Sequence, residues 1–139
     1  LKLLNEVVSR LNIVLDITVK PHPGYMIVAE DYSTMQLNIV SEPIQTLLPF
    51  VDIAYTSCIT SASVDAYLAG IPVITCLEPK NLNMSPLRGF SDVHFVSNPE
   101  DFIRALHDLW PSSSEHLSKH DFFCLDNNLP RWTKLLNIY

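Results

Sequence analysis

Five hydroxyl side chains fall within eight residues, at Thr56, Ser57, Thr60, Ser61 and Ser63, after an apolar run and just before Val64, Tyr67 and Leu68, which recur at helical spacing. A helix start carries unpaired N–H groups and a partial positive charge, so hydroxyls gathered there suit an anionic oxygen, most commonly a phosphate. Capping explains one or two of them. It does not explain five, and the turn is read as a phosphate-binding turn. A second chemical segment is Lys20-Pro21-His22-Pro23-Gly24, where two prolines and a glycine end a β-branched run and stiffen a loop that carries a cation and an imidazole. His22 could hydrogen-bond or charge-pair with a phosphate or a sugar hydroxyl there. The third is the long loop from Glu78 to Asp92, punctuated by Pro79, Pro86 and Gly89, in which Glu78, Lys80 and Arg88 could reach a sugar or its phosphates.

Other chemistries fit less well. His94, His107, His116 and His120 have no spacing that puts two on one face with a carboxylate, so they are assigned structural or surface roles and no metal is expected. Cys58, Cys76 and Cys124 are odd in number and widely spaced in apolar surroundings, which points to buried free thiols in a reducing compartment. With only three glycines there is no glycine-rich dinucleotide or P-loop motif, and Ser57 lacks the G-x-S-x-G elbow of a hydrolase. Tyr67, Trp110 and Trp132 are expected in the core rather than as stacking platforms.

The elements that must hold these loops alternate along the chain. Leu3, Leu4, Val7, Val8 and Leu11 mark a helix over 1–11, followed by a strand over 13–19 that runs into the Lys20 loop. A strand over 35–40 precedes a helix opened by Glu42 and Pro43 and continued through Ile44, Leu47 and Leu48. A strand over 51–55 enters the hydroxyl turn; the helix after it stops at Gly70, and 71–76 reads as a strand covered on both faces. A short strand over 93–96 leads to a helix capped by Ser97 or Asn98, with Pro99 in the first turn and Phe102, Ile103, Leu106 and Trp110 as its apolar face. Beyond Pro111 the expectation is an irregular tail with a last helix around 132–138. Strands alternating with helices predict an α/β fold: a parallel sheet with helices on both faces, its ligand beyond the carboxyl ends of the strands. All three chemical loops follow strands.

The chain has 139 residues, 47% apolar and 17% charged, with a formal charge of −6. That fits one domain, 1–139, with a core over 1–110 and a tail over 111–139; it is neither disordered nor basic enough to seek nucleic acid. No apolar run approaches the ~20 residues of a membrane span, and no signal peptide opens the sequence, so a cytoplasmic protein with at most peripheral membrane association is expected. The first residue is Leu1, and the sequence starts directly on an amphipathic pattern, which suggests a domain of a longer protein.

The combination of Lys20-Pro21-His22-Pro23, then Val51 to Ser57, then Thr60 through Ala69-Gly70-Ile71-Pro72-Val73-Ile74, resembles the C-terminal, donor-binding half of GT-B glycosyltransferases. More narrowly it looks like the sialyl-, polysialyl-, Kdo- and CDP-polyol transferases of bacterial capsule, lipopolysaccharide and teichoic acid synthesis. The resemblance covers Ile13 to about Leu106. It implies a three-layer αβα, Rossmann-like domain that forms one half of a GT-B fold. It further implies that His22 and Pro23 contact a cytidine nucleotide, with Lys20 beside them, and that a hydroxyl pair drawn from Ser57, Thr60, Ser61 and Ser63 holds its phosphate. Glu78, or less suitably Asp65, is the candidate for gripping the ribose. The implied partners are a nucleotide-activated sugar or polyol and an N-terminal acceptor domain, absent here, that would carry the catalytic base. Transfer would be metal-independent and without a cofactor, and this domain alone should transfer nothing. Two alternatives stay open: the Ala-Gly-Ile-Pro-Val segment is also similar to UDP-sugar 2-epimerases, and a flavodoxin-like interaction module would use the hydroxyl turn only as a capped helix start.

Overall fold

The computed structural model describes residues 1–11, 14–110 and 130–136. In chain order these form α1 (Lys2–Arg10), β1 (Ile17–Val19), a 3-10 turn (Ala29–Tyr32), β2 (Leu37–Ile39), α2 (Ile44–Leu47), a second 3-10 turn (Leu48–Phe50), β3 (Ala54–Ser57), α3 (Ala62–Leu68), β4 (Val73–Cys76), β5 (His94–Val96), α4 (Pro99–Leu109) and α5 (Pro130–Leu135). Every strand pairing is parallel. β1 pairs with β2, and β3-β4-β5 form a three-stranded sheet with β4 in the middle. The α/β reading therefore holds.

Alternation along the strands sorts side chains into two clusters. Tyr55, Ile74 and Val96 face one core with Leu4 and Val7 of α1 and Phe102, Ala105 and Leu109 of α4. Ala54, Val73 and Phe95 face the other, with Val64, Ala66 and Tyr67 of α3 and with Leu87. β4 is buried on both sides because Val73, Ile74 and Thr75 carry no solvated face, as its nearly unbroken β-branched run predicts. Ile17 and Leu37 join the first core, so β1 and β2 share it with the three-stranded sheet.

Local chemistry sets the helix ends. Asn98 caps α4: its Oδ1 accepts from the Asp101 N–H at 2.9 Å, and Pro99 opens the first turn. α3 stops at Gly70, whose φ of 79° places it in the left-handed region. The Gly70 N–H donates to the Tyr67 carbonyl at 3.0 Å, and the Ile71 N–H donates to Ala66 at 3.0 Å, the paired closure that glycine permits.

Several boundaries differ from expectation. β3 begins at Ala54 and runs to Ser57, not over 51–55, because its ladder starts where Ala54 meets Val73. Thr56 and Ser57 are consequently strand residues rather than part of the turn. β2 spans only Leu37–Ile39, and α2 starts at Ile44 with Pro43 as its cap. The buried centre of α4 is Phe102, Ala105 and Leu109, and Trp110 is 55% exposed. Trp132, on α5, is 58% exposed, so only Tyr67 of the three aromatic residues expected inside is buried. Cys58 is buried and Cys76 half-buried; Cys124, His116, His120 and the expected irregular tail lie outside the described residues.

Candidate ligand-binding site

The carboxyl end of the three-stranded sheet brings one set of predicted residues together. Ser57, the last residue of β3, stands opposite Cys76, the last of β4. The Leu77 N–H then donates to the Val96 carbonyl at 2.7 Å, so Glu78 leaves the sheet beside the ends of β3 and β5. α3 and α4 both start from this end, after β3 and β5 respectively. Glu100 and Asp101 occupy the first turn of α4, whereas the first turn of α3 carries only Asp65.

The five hydroxyls divide. Thr56 Oγ1 lies 3.4 Å from Thr75 Oγ1 on the neighbouring strand. Thr60 Oγ1 accepts from the Ala62 N–H at 3.2 Å, and the fully buried Ser63 donates back to the Thr60 carbonyl at 2.9 Å. Those three serve the chain itself. Ser57 and Ser61 are exposed, and Ser61 holds the cap position of α3 without a capping bond from its own side chain. Thr60 and Ser63 thus bond within the turn, which satisfies its own N–H and C=O groups.

Lys20, His22 and Pro23 follow β1, whose hydrogen-bonded partner is β2 rather than β3. Lys20 Nζ donates to the Ser41 carbonyl at 3.2 Å, tying the ends of β1 and β2. His22 is exposed, and its Nδ1 accepts from the Gly24 N–H at 3.1 Å while the Tyr25 N–H donates to the His22 carbonyl at 2.8 Å. This closes a turn through Pro23 and Gly24, and an accepting Nδ1 leaves Nε2 as the ring's outward N–H. Glu78 is exposed and accepts from the Asn81 amide within its own loop. Arg88 Nη1 is engaged by the Asn83 carbonyl at 3.2 Å, and Lys80 is exposed.

Sequence reasoning missed the middle of this end. Tyr55 stacks on Phe102 with ring centroids 4.7 Å apart. Burial, reinforced by a hydrogen bond with Cys76, pushes its phenol well above the ordinary range. The signal for that contact lay in the pairing register, which places 55 and 57 on the same side as 74 and 76. The loop from 77 to 93 is pinned from beneath: Leu87 is fully buried, and Tyr67 donates to both oxygens of Asp92 at 3.0 and 3.2 Å.

A cleft of about 500 Å³ lies at the opposite end of a sheet, at the amino ends of β1 and β2, lined by Val14, Leu15, Asp16, Gln36, Leu37 and Asn38. Among the described residues no group of three or more His, Cys, Asp or Glu could hold a metal ion, and no helix is long and apolar enough to cross a membrane. No family model, curated protein or solved structure matches the chain.

Proposed function

We propose that the chain is the donor-binding domain of a glycosyltransferase of surface-polysaccharide synthesis, a three-layer Rossmann-like unit equivalent to one half of a GT-B fold. Its donor would be a sugar or polyol phosphate activated by CMP or CDP. The observation that carries the reading is the convergence of Ser57, Ser61 and Glu78 on the carboxyl end of adjacent parallel strands, the place where ligands of open α/β sheets bind. In this reading Ser57 and Ser61 donate to a phosphate oxygen beside the start of α3, stabilising the charge that grows as the phosphate departs. Glu78 accepts from ribose hydroxyls. His22 presents Nε2–H, with Lys20 and Pro23 shaping the loop beside it. The acceptor and the catalytic base belong to a second domain.

A binding panel of CMP, CDP, UDP, GDP and inorganic phosphate, read by thermal shift and ligand-observed NMR, tests this reading. Selective stabilisation by a cytidine nucleotide is expected, about 2.7 kcal/mol at a hundredfold excess over Kd, and it should be lost in Ser61→Ala and His22→Ala. Preference for UDP redirects the reading to a UDP-sugar epimerase. The internal engagement of Thr56, Thr60 and Ser63 favours a second reading, an interaction module whose turn is only a capped helix start. A flat panel on a protein containing both domains supports that one.

A further inference from the structure

The crossover from β4 to β5 is folded rather than slack. Leu87 is fully buried and Phe90 packs against the same core. Within the loop the Ser85 N–H donates to Asn83 Oδ1 at 3.0 Å, the Leu87 N–H to Ser85 Oγ at 3.2 Å and the Arg88 N–H to the Ser85 carbonyl at 3.2 Å. Such internal bonding is that of a compact surface loop with a shape of its own. Against that order, Leu82 is 81% and Met84 64% exposed. Ile59, in the turn that leaves the same end of the sheet after β3, is 73% exposed. Leu87 shows that the loop has a core within reach, and Leu82 and Met84 are held away from it.

Charge selects the occupant. From Pro79 to Ser91 the loop has no acidic residue, and its two charged side chains, Lys80 and Arg88, are both exposed in a chain of net charge −6. Arg88 Nη1 donates to the Asn83 carbonyl at 3.2 Å, which seats the guanidinium beside the peptide that leads into Met84. Lys80 stands two residues before Leu82. The flanking acids both have partners within the chain, Glu78 the Asn81 amide and Asp92 the Tyr67 hydroxyl. A side chain as open as Leu82 projects into solvent, so a rigid partner would need a matching pocket, whereas the fluid boundary of a bilayer needs none. Cations beside projecting apolar side chains match anionic headgroups over acyl chains. We propose that this loop rests on an anionic lipid surface, with Leu82 and Met84 entering the acyl boundary and Lys80 and Arg88 meeting the headgroups. Ile59 lies at the same end of the sheet and adds to the apolar contact. The proposal does not depend on the nucleotide reading.

Vesicle co-sedimentation of the chain tests the proposal, with vesicles of phosphatidylcholine and phosphatidylglycerol in equal parts and vesicles of phosphatidylcholine alone. Binding to the mixed vesicles is expected, about tenfold above that to phosphatidylcholine and weakened by added salt. The double variant Leu82→Ser with Met84→Ser should reduce it about tenfold, and so should Lys80→Gln with Arg88→Gln. All four positions are exposed, so the variants should keep the parent melting temperature. Failure to bind the mixed vesicles overturns the proposal, as does binding that either double variant leaves unchanged. Self-association that Leu82→Ser with Met84→Ser abolishes, without vesicle binding, overturns it in favour of an interface between copies. The nucleotide panel reads Ser61 and His22, so either result can fail without the other.

Discussion

The two sheets solve the same problem differently. In β3-β4-β5 each strand divides its side chains between two cores, and Ile74 and Thr75 of the middle strand are wholly buried. In β1-β2 only Ile17 and Leu37 join a core, and Asp16, Thr18, Gln36 and Asn38 are exposed. Both pairs are parallel, so hydrogen-bond geometry does not separate them. Coverage does: a strand between two layers must be apolar throughout, and a strand packed on one layer can carry polar residues at alternate positions. Stability should therefore be concentrated in the three-stranded sheet and adaptability in the two-stranded one.

The sharpest way to break that contrast is to compare Phe102→Ala with Thr18→Val by urea denaturation. Phe102 is 1% exposed and stacked on Tyr55, so its loss should cost about 3–5 kcal/mol. Thr18 is exposed, and its replacement should stay within about 0.5 kcal/mol. Equal losses would mean that the polar face is covered in solution.

Tyr67→Phe sharpens the contrast at the point where β4 crosses to β5 without a helix. Removing the hydroxyl that donates to Asp92 should cost about 1.5–3 kcal/mol at neutral pH, measured by the same denaturation. Burial first, then the hydrogen bond to Asp92, pushes the Tyr67 phenol up to about 12 from an ordinary value of 10. The native state therefore holds this proton more tightly than the unfolded chain does. Its contribution is complete below pH 10 and fades between pH 10 and about 12, so wild type and Tyr67→Phe should converge over that window. Parallel pH profiles would show that the phenol is not held.

The smallest effect belongs to Arg10, which links α1 to α4 by donating to Glu100 at 2.7 Å and also pairs with Glu6. The Glu100 backbone N–H, then Arg10, hold the Glu100 carboxyl below its ordinary value of 4.5. A lowered value means stability that is present above pH 4.5 and lost as pH falls below it. Both side chains are exposed, so Glu100→Gln should lower the melting temperature only slightly, and added salt should erase the difference. A large shift that survives salt would show that this contact clamps the two regions together.

What could be read from the sequence followed from how local each signal was. α4 was legible because Asn98, Pro99, the acidic first turn and the apolar spacing all lie within a few residues of one another. Its buried centre was displaced by one position, since Trp110 outweighs Ala105 in apolar character while the packing favours the smaller side chain. The limits of β3 were not legible: Val51 and Ile53 look like strand, but pairing begins where Ala54 meets Val73, nineteen positions away in the chain. The same misplacement enlarged the hydroxyl turn, because Thr56 belongs to a ladder, and hydrogen bonds within the turn engage Thr60 and Ser63. Composition located the cluster, and only backbone geometry showed that Ser57 and Ser61 face outward.

The crossover from β4 to β5 has a consequence for chain length. Its inner part is fixed by Leu87 and by the Tyr67 bond to Asp92, while Glu78, Pro79, Lys80, Asn81 and Leu82 are exposed. Extra residues placed among those five would meet mainly the entropy of closing a larger loop, about 0.6 kcal/mol for each doubling. The same addition between Leu87 and Asp92 would pull a plug from the second core. The protein thus carries, directly after Glu78 of its candidate site, a segment that can be lengthened without rebuilding the sheet that supports it.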